Sequence, residues 1–84
     1  MSDESIASRI ERLVDQEHDL RNREQDDRTD PGALDADRER LQAIEVELDR
    51  CWDLLRRRRA LRSAGGDPDQ ATVRDAETVE RYLQ

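Results

Sequence analysis

The 84 residues carry a formal net charge of −7, and 44% of them are charged, which leaves room for one small domain with a thin core. Leu, Ile, Val and Phe together number 16 of 84, close to the level at which highly charged chains stay disordered, so packing against a partner or a second copy is expected to help. No run approaches the ~18 apolar residues of a membrane span, and the opening MSDESIASRIERL places acids where a secretory leader needs basic residues; a cytoplasmic protein without a membrane segment is expected.

The first periodic segment places Ile6, Ile10, Leu13 and Leu20 at steps of 4, 3 and 7, with Val14 beside them and Glu17 interrupting the seam. This spacing predicts a helix over about residues 4–24. Ser2 or Asp3 can cap its start, Asp3 and Glu4 suit the positive end of the helix dipole, and Arg21 and Arg23 suit the negative end. The next stretch, QDDRTDPGA (25–33), has no large apolar residue and contains Pro31-Gly32, which predicts a connecting turn.

A second helix is predicted over about 34–63, with its seam at Leu34, Leu41, Ile44, Leu48, Cys51 and Leu55. Acids crowd its first turns and arginines its last, and Ala64-Gly65-Gly66 supplies residues that tolerate positive φ at its end. Asp67-Pro68 then reads as a new start, with Asp67 as N-cap, Pro68 at the first helical position and Gln70 placed for a capping box. Val73, Ala76, Val79 and Leu83, with Tyr82 alongside, are spaced for one face of a short third helix. The expected fold is all-α: an antiparallel, coiled-coil-like two-helix hairpin over 1–64, then a Gly/Asp/Pro break and a short C-terminal helix over 65–84.

Centring the turn near residue 30 pairs positions whose numbers add to about 61. Leu20 then meets Leu41, Leu13 meets Leu48, Ile10 meets Cys51, and Ile6 meets Leu55. Two seams read separately meet apolar to apolar. The same register sets Arg57 and Arg58 against Asp3 and Glu4, and Arg21 and Arg23 against the acids at 35–39.

Arg56, Arg57, Arg58, Arg59 and Arg62 form a basic stretch in an acidic chain of pI near 4.7. Nucleic-acid binders usually present a whole basic face and several aromatic platforms, whereas here there is no second basic cluster and one tryptophan. A structural role is therefore expected: cations on the last turns of a helix, facing an acidic helix start. Arg58 falls on the seam edge, Arg56 lies one turn from Trp52 and can stack on it, and only Arg57 has no apolar neighbour. The alternative is a regulator touching nucleic acid or ribosomal surfaces through Arg56–Arg62.

Candidate chemistry is sparse. Asp15 and His18 lie three apart on one helical face, a spacing used in di-iron bundles, but a single histidine would need dimer symmetry to complete such a site. Cys51 sits on the apolar seam as a small hydrophobe, with His18 about two turns away. There is no Gly-rich phosphate loop, nucleophile arrangement or zinc spacing. No catalytic residue, metal ligand or cofactor is assigned, no small-molecule substrate is evident, and the chain is not expected to be an enzyme. Trp52 and Leu54 instead widen the apolar stripe on both flanks of Cys51 and Leu55, beyond what one facing helix covers. Trp52, Leu54, Leu55, Val79, Tyr82 and Leu83 form the candidate interface, covered by the C-terminal segment, by another subunit or by both.

The stretches LVDQEHDLR (13–21), LDRCWDLLRRRRALR (48–62) and DPDQATVR…VERYLQ (67–84) resemble a small actinobacterial family, domain of unknown function 2630. The resemblance covers nearly the whole chain except the connecting loop. It implies a bacterial cytoplasmic origin and supplies no activity and no functional residues. The expected function is a non-enzymatic protein–protein interaction or self-association module, acting as a homodimer or as a subunit of a larger assembly.

Overall fold

A computed structural model describes residues 2–26 and 31–83, and the side chains of 2–23 and 32–81. Two long helices, α1 (Asp3–Asp26) and α2 (Pro31–Ser63), pack as an antiparallel hairpin, and a short helix α3 (Ala76–Leu83) returns onto α2. Among the described residues there is no strand. The helices reach further into the expected 25–33 turn on both sides, because Pro31 stands at the first helical position, where its missing N–H costs nothing. Residues 27–30 of that turn lie outside the described residues.

At the start of α1, Ser2 and Ser5 cap each other: Ser5 N donates to Ser2 Oγ at 3.1 Å and Ser2 N to Ser5 Oγ at 3.0 Å. With Ser2 as the cap, the Asp3 carboxylate is released to reach across the hairpin. At the end of α2, Gly65 takes φ +79°, Gly66 N donates to Leu61 O at 2.7 Å, and Gly65 N donates to Arg62 O at 3.1 Å. These two bonds satisfy carbonyls the helix leaves unpaired, and the left-handed turn needs a residue without Cβ.

The core follows the two seams. Ile6, Ile10 and Leu20 of α1 are buried with Ile44, Leu48, Cys51, Leu54 and Leu55 of α2, and Leu13 and Leu41 pack against them. Each fully buried apolar side chain contributes roughly 1.5–3 kcal/mol relative to exposure. The ion pairs carry the expected register, since Asp3 pairs with Arg58 and Arg23 with Asp37, numbers that add to 61 and 60. Arg21 departs from it. Instead of the acids at 35–39 it takes Glu45 at 3.0 Å, because its place is on the edge of the seam, where Glu45 also lies. Asp37 is buried on the seam, with its Oδ2 3.7 Å from Arg23 and no hydrogen-bond donor.

The C-terminal segment differs more from expectation. Asp67 caps only a single 3-10 turn, Pro68–Gln70, by accepting from Asp69 N at 2.9 Å, and Gln70 makes no capping box. Residues 71–75 form no helix, with Ala71 in extended geometry, and α3 starts after Asp75, whose Oδ1 accepts from Thr78 N at 2.8 Å. This non-helical stretch gives two of its carbonyls to arginines of α2: Arg57 donates to Thr72 O, and Arg50 Nε to Arg74 O at 2.9 Å. A backbone whose acceptors are already taken by side chains has less to gain from helix, and β-branched Thr72 and Val73 suit extended geometry.

Candidate interaction surface

The face of α2 turned away from α1 is organised around Asp53, which is 3% exposed. Arg74 donates to it from Nε at 3.0 Å and also through Nη2, and Arg57 from Nε at 3.1 Å. Arg74's hydrogen bond, opposed by burial and helped by the charge of Arg57, holds the Asp53 carboxyl below the usual carboxylate range. A buried aspartate with two guanidiniums is satisfied, and it ties the non-helical segment to α2.

Arg58, 6% exposed, does the same at the helix end. It donates to Asp3 Oδ1 at 2.6 Å and to Asp69 Oδ1 at 2.9 Å, joining α1, α2 and the 3-10 turn in one cluster. Arg62 adds a second bond to Asp3 at 2.7 Å. Arg58 first, then Arg62, hold the Asp3 carboxyl low, while Asp3 and Asp69 push the Arg58 guanidinium up.

Three of the five arginines of the basic stretch are therefore engaged within the chain. Arg57, expected to face Asp3 and Glu4 with no apolar neighbour, instead bonds Asp53 and grips the returning backbone, because it lies about 100° around the helix from Arg58 and faces away from α1. Arg56 and Arg59 are exposed and make no ion pair among the described residues.

On the same returning segment, Val79 is 1% exposed, and Glu80 beside it meets Asp49 of α2. That hydrogen bond comes first, burial and the Asp49 charge next, and all push the Glu80 carboxyl up. Two ionised carboxylates have only acceptors, so the bond exists only while one of them carries a proton. Glu80 Oε1 is buried with no donor of its own. Burial also pushes the Cys51 thiol up. A small cavity of about 130 Å³ beside Cys51 is lined by Ile6, Arg9, Glu47, Arg50, Leu54 and Val73. Its two guanidiniums both lie against Glu47, at 3.1 Å for Arg9 and 2.7 Å for Arg50.

The candidate interface residues separate. Leu54 and Leu55 are buried in the chain's own core and Val79 is buried on α3, whereas Trp52 stays 47% exposed. The side chains of Tyr82 and Leu83 lie outside the described ones. Two ion pairs show how the flanks divide. Arg9–Glu47 crosses one edge of the hairpin, and Val73 of the returning segment lines the same cavity as that pair. Leu54, seven residues beyond Glu47, lies on this closed edge. Arg21–Glu45 crosses the other edge. A step of seven back from Arg21 gives Val14, and seven on from Glu45 gives Trp52. In an antiparallel pair both steps run the same way, so Val14 and Trp52 sit side by side on the open edge. Val14 is 45% exposed. Spacing hinted at an uncovered tryptophan on the flank of Cys51 and Leu55; Val14 gave no separate signal, because it reads as a seam neighbour until the edge is known.

Among the described residues no cluster of three or more metal-ligating side chains forms, and Asp15 and His18 are both exposed. No helix of the described residues is long and apolar enough to cross a membrane.

The sequence model of the family described as "Protein of unknown function (DUF2630)" matches residues 2–84. The chain belongs to that family. Uncharacterized proteins of Mycobacterium bovis and of two Mycobacterium tuberculosis strains are 61% identical to it over 46 residues, 55% of this chain and 53% of each relative. The chain thus spans about half the length of the curated relatives it matches. No solved structure matches it.

Proposed function

We propose that this member of the DUF2630 family is a non-catalytic docking module whose contact surface is the open edge of the hairpin, centred on Val14 and Trp52. The observation that carries this is the exposure of Trp52, 47%, beside an equally bare Val14. In a chain with so few large apolar residues, an exposed aromatic–aliphatic pair is the kind of anchor that interfaces bury. A cytoplasmic setting fits the same picture, since the one cysteine is a buried free thiol. The arginines Arg57, Arg58 and Arg62 spend their donors on this chain's own carboxylates and carbonyls, which takes them from any phosphate.

The test is site-specific photo-crosslinking in cells that make the protein. A benzophenone side chain replaces Val14 in one variant and Glu77, exposed on α3, in another. A discrete adduct from position 14 and none from position 77 is expected. No adduct from position 14, or equal adducts from both, overturns the proposal.

A further inference from the structure

The open edge carries a charge pattern with its own symmetry. Along α2, Glu45 and Arg59 stand seven residues before and after Trp52, about 10.5 Å to either side, on the same face as the tryptophan. Among the described residues, Glu45, 47% exposed, is bonded by Arg21 alone, and Arg59 is exposed and makes no ion pair. An acid and a base at equal distances from an exposed apolar centre are complementary to their own image after a half-turn about that centre. A partner of uniform charge would satisfy one of them and repel the other.

Resting on the docking surface proposed above, we infer that its occupant is a second copy of this chain, laid antiparallel across the first about a two-fold axis through Trp52. Each Trp52 then covers the other, and Arg59 of each copy meets Glu45 of its mate. On α1 the same axis passes by Val14 and sets Ala7 opposite Arg21 of the other copy, a small side chain that leaves the guanidinium room. The contact is isologous, so it closes on itself as a dimer. It also supplies the apolar cover that the thin core leaves missing.

Sedimentation equilibrium over a wide concentration range tests this with two variants, Arg59→Glu and Glu45→Arg. Both positions are exposed, and retained helicity by circular dichroism confirms that the variants fold. The wild-type chain is expected to dimerise reversibly. Each variant alone sets like charges against each other and should weaken its dimer by roughly tenfold or more. An equimolar mixture should recover most of the wild-type affinity, short of it by what the lost Arg21–Glu45 pair contributes, because each chain then offers the charge the other needs. A wild-type chain that stays monomeric throughout, variants that dimerise unchanged, or a mixture that recovers nothing each overturns the inference. If the chain is monomeric yet position 14 still crosslinks to a different protein, the second copy is wrong and the docking surface stands. If position 14 gives no adduct at all, the surface itself is wrong.

Discussion

The two edges of the hairpin start from similar material and end differently. Leu54 and Trp52 flank the same Cys51–Leu55 stripe, yet Leu54 is 3% exposed and Trp52 47%. The closed edge has the returning segment, held by guanidinium bonds to Asp53, Thr72 O and Arg74 O. Among the described residues the open edge has one crossing ion pair, Arg21–Glu45, and nothing over its apolar pair. Which flank is covered was decided by where α2 carries arginines able to hold non-helical backbone. Hydrophobicity did not decide it, since the bare residue is the larger one.

The sharpest contrast is a truncation on each edge. Leu54, 3% exposed, lies on the closed edge and lines the Cys51 cavity. Leu54→Ala should lower the unfolding free energy by about 2–5 kcal/mol in urea titrations followed by circular dichroism. Trp52→Ala, measured where the chain is monomeric, should cost clearly less, about 1–2 kcal/mol, because roughly half of the ring is already in water. Equal losses at the two positions would mean that Trp52 is buried within the monomer and the edges do not differ.

Asp53 tests what closes the closed edge. Asp53→Asn removes the charge that Arg74 and Arg57 share and should cost about 1.5–2 kcal/mol, toward the lower end for charged hydrogen bonds because both guanidiniums keep access to water. The loss should be local. Amide exchange should accelerate in residues 76–81 well before the α1–α2 seam responds. Uniform acceleration along the chain would show instead that the returning segment and the hairpin unfold as one unit.

The hairpin itself was legible because its signal is periodic. Seams at Ile6, Ile10, Leu13 and Leu20 and at Leu41, Ile44, Leu48, Cys51 and Leu55 fix both helices and their register. The family, too, was legible in the stretch around Cys51 and Trp52. The C-terminal segment was misread at its start because Asp67-Pro68 is as good an opening for one 3-10 turn as for a helix. What separates the two is whether residues 71–75 can give their carbonyls elsewhere, and the takers, Arg50 and Arg57, lie about 15–24 residues away in sequence. The site was half legible. An unmatched flank beside Cys51 could be read from spacing, but spacing treats Trp52 and Leu54 alike. Only the path of the returning chain tells them apart. The roles of Asp53 and Glu80 carry no periodic signal, since in a chain this acidic one more carboxylate on a helix looks like solvation.

Acid titration gives the smallest effect and the finest test of the same closure, because the carboxylates along it respond in opposite directions. Asp53 and Asp3 are held below their ordinary value of 3.8 by Arg74 and Arg58, respectively. Their contribution is present above that value and is lost as pH falls through their lowered folded values. Glu80 is pushed above its ordinary 4.5 by Asp49. Its bond to Asp49 contributes fully below 4.5 and is lost as pH rises through the raised folded value. The docking of α3 should therefore be tightest in a mildly acidic window between the two. Amide exchange at Val79 and Glu80, corrected for the intrinsic pH dependence, should show protection falling as pH rises out of that window. Glu80→Gln keeps a donor facing Asp49 at every pH and should flatten that fall while leaving the acid-side loss in place. If the variant keeps the wild-type profile on the high-pH side, the Asp49–Glu80 proton is not what fastens α3, and the closed edge depends on Asp53 and the arginines alone.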